Sequence, residues 1–212
     1  MKYADALPEG FKIPTSAFWL RKDLETNPFK LVPLEVGDRV MDCGTYIGTF
    51  AAAAMEQGAA SVVCYEAAPK NFLLAVDNMA RYGERAKVVE KALTAGYSDS
   101  VQLTMSGFSG ANSILPSANR PKALTVVACN FSDELMLHRP TVVKMDVEGA
   151  EYDLLGSLEP GDLEGVRCLF IEFHPIEGRE AKIAAIRAFL ESEGFTVLSD
   201  RKRAFVVVRK AA

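Results

Sequence analysis

Between Asp38 and Glu66 the chain reads DRVMDCG, then TYIGTFAAAAMEQG, then SVVCYE: a short apolar run, a longer run of small residues closed by Gly58, and a second short apolar run. Two strand-length runs flanking a helical segment predict a β-α-β unit, whose parallel strands must be covered on both faces. The cycle repeats as Pro69 opens a predicted helix to about Tyr82 and AKVVEKAL supplies a third strand. It breaks at about 94–133, where SVQLTM and LTVVAC are strand candidates around the turn-rich SGFSGANSILPSANRP. Insertions of this kind commonly carry specificity. Regularity resumes with TVVKMD as a strand, GAEYDLLGSL as a helix, VRCLFIEF as a strand and REAKIAAIRAFLESEG as an amphipathic helix ended by Gly194. FTVLSD and RAFVVVR then predict a closing antiparallel hairpin. The expected fold class is α/β and Rossmann-like: a mostly parallel sheet flanked by helices.

At 212 residues and 49% hydrophobic the chain suits one sizeable core. Residues 36–212 are read as that domain, after an extension or lid over 1–35 that Pro8, Pro14, Pro28 and Pro33 interrupt. Phe18 and Trp19 in the extension are expected to pack on the core or cover a pocket. The net charge of −4 and the scatter of basic residues outside Arg201, Lys202 and Arg203 argue against a nucleic-acid partner. No apolar run reaches the ~18 residues of a membrane span, and no basic start with an apolar core marks a leader. Cys43, Cys64, Cys129 and Cys168 lack CxxC spacing, so free thiols in a reducing, cytoplasmic setting are expected.

The turn DCGTYIGTF places Gly44 and Gly48 four apart just before a helix, where a Rossmann-type fold brings backbone close to a cofactor. A dinucleotide would want glycine at Tyr46, since the backbone must approach the pyrophosphate there. Tyr46 therefore counts against a nicotinamide or flavin. A ligand without phosphates, with an amino-acid end and a nucleoside end, tolerates that side chain while still using the turn's amides; S-adenosylmethionine is such a ligand. Glu66 ends the second strand 24 residues past Asp42, near the ~20-residue offset at which an acidic residue meets a ribose. A solvated strand-end charge is the plainer alternative for Glu66 taken alone.

The segments VMDCGTYIGTF, VVCYEAAPKNFLLAVDN, VVKMDVEGAEYDLL and LFIEFHP, over about residues 34–175, together resemble the FkbM family of S-adenosylmethionine-dependent methyltransferases. The glycine loop is generic to class I methyltransferases, whereas KMDVEGAE is the family-specific run. The resemblance implies a class I methyltransferase fold and, most often, O-methylation of a hydroxyl on a sugar or natural product. Two departures stand out. Thr45 and Tyr46 occupy the places where members often carry Ala and Asn, and Ala67-Ala68-Pro69 replaces the usual P-x-P after Glu66.

Methyl transfer to a hydroxyl asks for alignment and for a base. Asp42, Glu66, Asp146, and Glu172 with His174 all fall at C-terminal strand ends, on one edge of the sheet. His174 is the preferred base, since imidazole titrates near neutral pH, with Glu172 or Asp146 to orient it; a turn residue before Pro175 is the alternative. Asp146 is expected to face cofactor or acceptor. Cofactor contacts are assigned to Asp42, Gly44, Tyr46, Gly48, Glu66 and Asp146, and acceptor contacts to Phe108, Asn112 and Ser113. Glu148 and Glu151 lie where a helix dipole favours acids by ~0.3–1 kcal/mol each, and Glu151 is expected to be structural. A divalent cation on Asp146, Glu148 and Glu172 is set against neutralisation by Lys144, and no metal is assigned. Two further readings stay open: a catalytically silent S-adenosylmethionine-binding domain and a nicotinamide-dependent oxidoreductase.

Overall fold

The computed structural model describes residues 7–17, 20, 28–105, 112–115, 122–201 and 204–209. Phe18, Trp19 and Phe108 lie outside the described residues. The predicted β-α-β unit forms as β1 (Arg39–Cys43), α1 (Thr49–Glu56) and β2 (Ser61–Tyr65). It is followed by α2 (Pro69–Met79), a 3-10 turn over Ala80–Arg85 and β3 (Ala86–Val89). After the insertion come β7 (Val142–Met145), α4 (Glu151–Gly156), β8 (Cys168–Glu172) and α5 (Arg179–Ser192). The hairpin of β9 (Phe195–Arg201) and β10 (Ala204–Arg209) closes the described chain.

These strands make a seven-stranded sheet in the order β3-β2-β1-β7-β8-β10-β9. β3, β2, β1, β7 and β8 run parallel, and β10 is antiparallel to both β8 and β9. The order reverses between β1 and β7, so the loops leaving these two strands diverge and open a crevice at their C-terminal ends. Both faces of the sheet are buried. Met41, Val143, Met145 and Leu169 pack with Leu154, Leu155 and Leu190 on one side. Val40, Val142 and Phe170 pack with Phe50 and Met55 on the other, as a period of two requires.

The sequence reading differs from the structure in two elements. AKVVEKAL is not one strand: it breaks at Glu90 and Lys91, and β4 (Ala92–Thr94) leaves for a second sheet of order β4-β6-β5. There β6 (Lys122–Asn130) pairs antiparallel with β5 (Ser100–Met105), so the insertion forms its own layer. The other difference is α3 (Phe131–His138), a helix that the sequence reading did not include. The Asn130 side chain caps it by accepting from the Asp133 amide at 3.1 Å. Exposed Met136 and Leu137 hide its periodicity.

The described part of the N-terminal extension docks against the domain. Asn78 of α2 bonds the backbone of Lys12 in both directions and also donates to the Ile47 carbonyl at 2.9 Å. Cys43, Cys64 and Cys168 are buried free thiols and Cys129 a half-buried one. Among the described residues no helix is long and apolar enough to cross a membrane.

Candidate functional site

Strand register builds the floor of the site. Asp42 of β1 and Lys144 of β7 are direct neighbours across the crevice, and their charged atoms lie 3.1 Å apart. Lys144 Nζ also donates to the Gly44 carbonyl at 2.6 Å and lies 3.6 Å from Asp146 Oδ2. Burial alone would lower the pKa of Lys144, but Asp42 and then Asp146 outweigh it, and the lysine stays charged. A cation in the strand VVKM carried this signal in the sequence, since lysine is rarely fully buried without a partner. Asp42 is completely buried, with Oδ2 accepting from Thr45 Oγ1 at 2.6 Å. Asp42, expected as a cofactor contact, holds the loop from beneath, through Thr45 and Lys144.

Above this floor the glycine loop is pinned at several points. The Gly44 and Thr45 amides both donate to the Tyr65 carbonyl at 3.0 Å. A Cβ on Gly44 would stand 1.9 Å from the Asp146 carbonyl oxygen, so only glycine lets the loop lie against the end of β7. Tyr46 adopts φ 56°, a left-handed conformation uncommon for a bulky residue, and its amide donates to Glu66 Oε2 at 2.9 Å. Glu66 Oε1 accepts from the Ala68 amide at 2.9 Å. Burial pushes the Glu66 carboxyl up to about 7, against the lowering effect of these amides.

The second half of the site is the turn between β7 and α4. Glu148 at φ 54° and Gly149 at φ 106° are successive left-handed residues. The turn is braced from the insertion: Ser113 Oγ donates to the Glu148 carbonyl at 2.6 Å, and Leu115 packs against Gly149. Ser113, expected at the acceptor, is itself buried and anchors this turn. Asn112 lies half-buried beside it.

His174, just past β8, is brought to this turn. Its Nε2 lies 3.7 Å from Asp146 Oδ1 and 3.6 Å from Glu148 Oε1, and its Nδ1 lies 3.3 Å from Glu151 Oε1. The partner at Nδ1 is therefore Glu151, not Glu172 or Asp146 as the sequence suggested. Burial alone would lower the His174 pKa, but the Glu151 contact and the charges of Asp146 and Glu148 carry it up to about 9. The Glu172 side chain makes no hydrogen bond or ion pair among the described residues, and burial followed by the Asp146 charge raises its carboxyl above the usual range.

Asp146, Glu148 and His174 offer donor atoms within 4.8 Å of one another. His174 thus stands where the sequence reading of a cation cluster put Glu172, and the imidazolium is itself a positive charge that answers the two carboxylates. His138, the other histidine of the chain, pairs with Glu134 of its own helix at 3.3 Å.

The crevice combines a loop with its backbone close against β7, a strand-end carboxylate on the loop's amide, and an excess of acidic groups. The model of the methyltransferase FkbM domain matches residues 42–197, well over half of the chain and all of the elements that line the crevice. A methyltransferase FkbM structure from Methylobacillus flagellatus is 16% identical with a TM-score of 0.56, covering 97% of this chain and 56% of that one. The present chain thus spans little more than half of that protein. The precorrin-6y C5,15-methyltransferase of Geobacter metallireducens is 10% identical with a TM-score of 0.53, covering 97% and 96%. No curated protein matches the chain. With the family model spanning β1 to β9 and the sheet order of a class I methyltransferase, the chain belongs to the FkbM family of S-adenosylmethionine-dependent methyltransferases.

Proposed function

We propose that this protein transfers a methyl group from S-adenosylmethionine to a hydroxyl of a sugar or small natural product. The observation that carries the oxygen acceptor is the His174, Asp146 and Glu172 group at the mouth of the crevice, since an alcohol, unlike a neutral amine, must lose a proton to become a competent nucleophile. The net charge of −4 argues against a polyanionic acceptor.

S-adenosylmethionine supplies a methyl group on a sulfonium, already activated for in-line displacement. The chain's task is then alignment, electrostatics and proton handling. Glu66 keeps acceptor capacity for two ribose hydroxyls beside the amides it already binds. Gly44, Tyr46 and Gly48 shape the backbone facing the amino-acid end, and Asp146 faces the positive centre. His174, protonated through neutral pH in the free chain, becomes a base at Nε2 once a cationic ligand shares Asp146 and Glu148, because these carboxylates then no longer hold its proton alone. Proton acceptance is thereby tied to a filled site. Glu172 is the next acceptor outward. The extension over residues 1–35 is proposed as a lid, and Asn112 as an acceptor contact.

The test is formation of S-adenosylhomocysteine by purified protein over a panel of glycosides and hydroxylated metabolites. Product with a hydroxylated acceptor is expected. Turnover only with amines would overturn the oxygen acceptor, and tight cofactor binding with no turnover across the panel would favour a silent binding domain.

A further inference from the structure

Glu151 opens α4 and is completely buried. A glutamate at a helix start would ordinarily cap that helix's own free amides. This one does not: the cap residue Ala150 receives no side-chain bond, and the Glu151 carboxylate reaches out of the helix in two directions. Oε2 accepts from the Gly149 amide at 2.8 Å. Oε1 accepts from the His174 amide at 2.6 Å and lies 3.3 Å from Nδ1 of the same residue. The neighbouring Tyr152 hydroxyl donates to the His174 carbonyl at 2.6 Å. Two consecutive residues of α4 therefore hold the backbone of His174 at both its amide and its carbonyl.

We propose that Glu151 is the positioning residue of the site: its buried carboxylate ties the Glu148-Gly149 turn to His174 and fixes the ring with Nε2 toward Asp146 and Glu148. The proposal rests on the reading of His174 as proton acceptor. The physical reason for a carboxylate is the donor count. Gly149 N–H, His174 N–H and Nδ1–H converge on two oxygens, and an amide in place of the carboxylate would turn its own NH2 group toward one of these donors. With Nδ1–H donated to Glu151, neutral His174 has its lone pair on Nε2, the nitrogen that faces the crevice. The charged groups around the ring are Glu151 from α4, Asp146 and Glu148 from the turn after β7 with Lys144 behind them, and Glu172 from its own strand.

The test compares wild-type protein with E151Q, E151D, H174Q and the E151Q/H174Q double variant. The chain has only two histidines, so H174Q assigns the ring signals in an NMR titration. In folded E151Q the His174 titration should fall by at least one pH unit. Its kcat should drop about a hundredfold with its pH profile displaced, while cofactor affinity by calorimetry stays within twofold. E151D, which keeps the charge on a shorter stem, should recover part of the rate. On the H174Q background E151Q should have almost no further effect on kcat, because Glu151 acts through the ring. An unmoved His174 titration in folded E151Q, or an equal loss of kcat with and without His174, would overturn the proposal. Should E151Q not fold, the E151D titration decides: a shift below wild type supports the link and an unmoved one overturns it. A wild-type rate in H174Q would remove His174 as base, while the titration still decides whether Glu151 holds the ring.

Discussion

Two loops meet at the point where the sheet order reverses, and they are built alike. Each has a non-glycine residue in the left-handed region, Tyr46 at φ 56° and Glu148 at φ 54°. Each has a backbone amide tied to a buried glutamate, Tyr46 to Glu66 and Gly149 to Glu151. They differ in what lies beneath. The glycine loop rests on the Asp42–Lys144 pair and touches β7 so closely that Gly44 has no room for a side chain. The turn at Glu148 instead faces the crevice, with Asp146 27% and Glu148 21% exposed beside His174. The first loop is a rigid cradle and the second carries the ionisable groups. Left-handed non-glycine residues cost about 1–3 kcal/mol each, and the buried glutamates are what hold the strain in place.

This contrast can be broken from its strongest point. Lys144→Ala should destabilise the fold by about 3–5 kcal/mol in urea unfolding, because it leaves Asp42 as a buried charge without its partner; a loss under 1 kcal/mol would mean that the floor is not ionic. Gly44→Ala should cost about 3 kcal/mol, from left-handed strain plus the overlap with Asp146. Gly83→Ala, also at positive φ but with open space around it, is the control and should cost less. Similar losses at the two positions would show that close approach to β7 does not matter.

The two loops should also separate by pH. His174 is raised from 6.5 to about 9, so the stability it contributes is fully present below pH 6.5 and lost as pH rises through 9. Glu66 is raised from 4.5 to about 7, so its contribution is present below pH 4.5 and lost as pH rises through 7, a window that Glu172 shares. Unfolding free energy of the ligand-free protein should therefore fall in two steps, on the order of 3 kcal/mol per group, with the lower step shared by two carboxyls. H174Q should remove the upper step and E66Q part of the lower. A curve with no decline between pH 6.5 and 9.5 would sink the charged-histidine reading.

Two smaller effects sharpen the division between the loops. Glu66→Ala should weaken cofactor binding about tenfold, or ~1.4 kcal/mol, and unchanged affinity by calorimetry would cancel the ribose assignment. Chelation with EDTA should leave turnover within twofold, since His174 supplies the positive charge among the carboxylates; a rate lost to EDTA and restored by Mg2+ would give that place to a cation.

Much of this was legible in the chain itself. Alternating strand and helix runs carried the parallel sheet, and KMDVEGAE carried the family. Strand ends alone placed Asp42, Glu66, Asp146 and Glu172 with His174 on one edge. What the chain did not show depends on neighbours. AKVVEKAL is apolar enough to be one strand, and only the partner available to each half divides it between two sheets. Asp42 and Ser113 are buried and bonded to neighbouring residues, which their positions in the sequence do not reveal.

The three carboxylates of DVEGAE show most clearly where the division falls. Their identity and spacing, the glycine that permits the turn, and the dipole that favours acids near it are local properties, written in consecutive residues. That Asp146 shares Lys144 with Asp42, that Glu148 faces the imidazole, and that Glu151 binds a histidine 23 residues away depend on the register of β1, β7 and β8. The sequence by itself determined which groups are available at this edge of the sheet. Only the tertiary structure decided which of them meet, because pairing and burial belong to neighbouring strands and loops and not to any one of them.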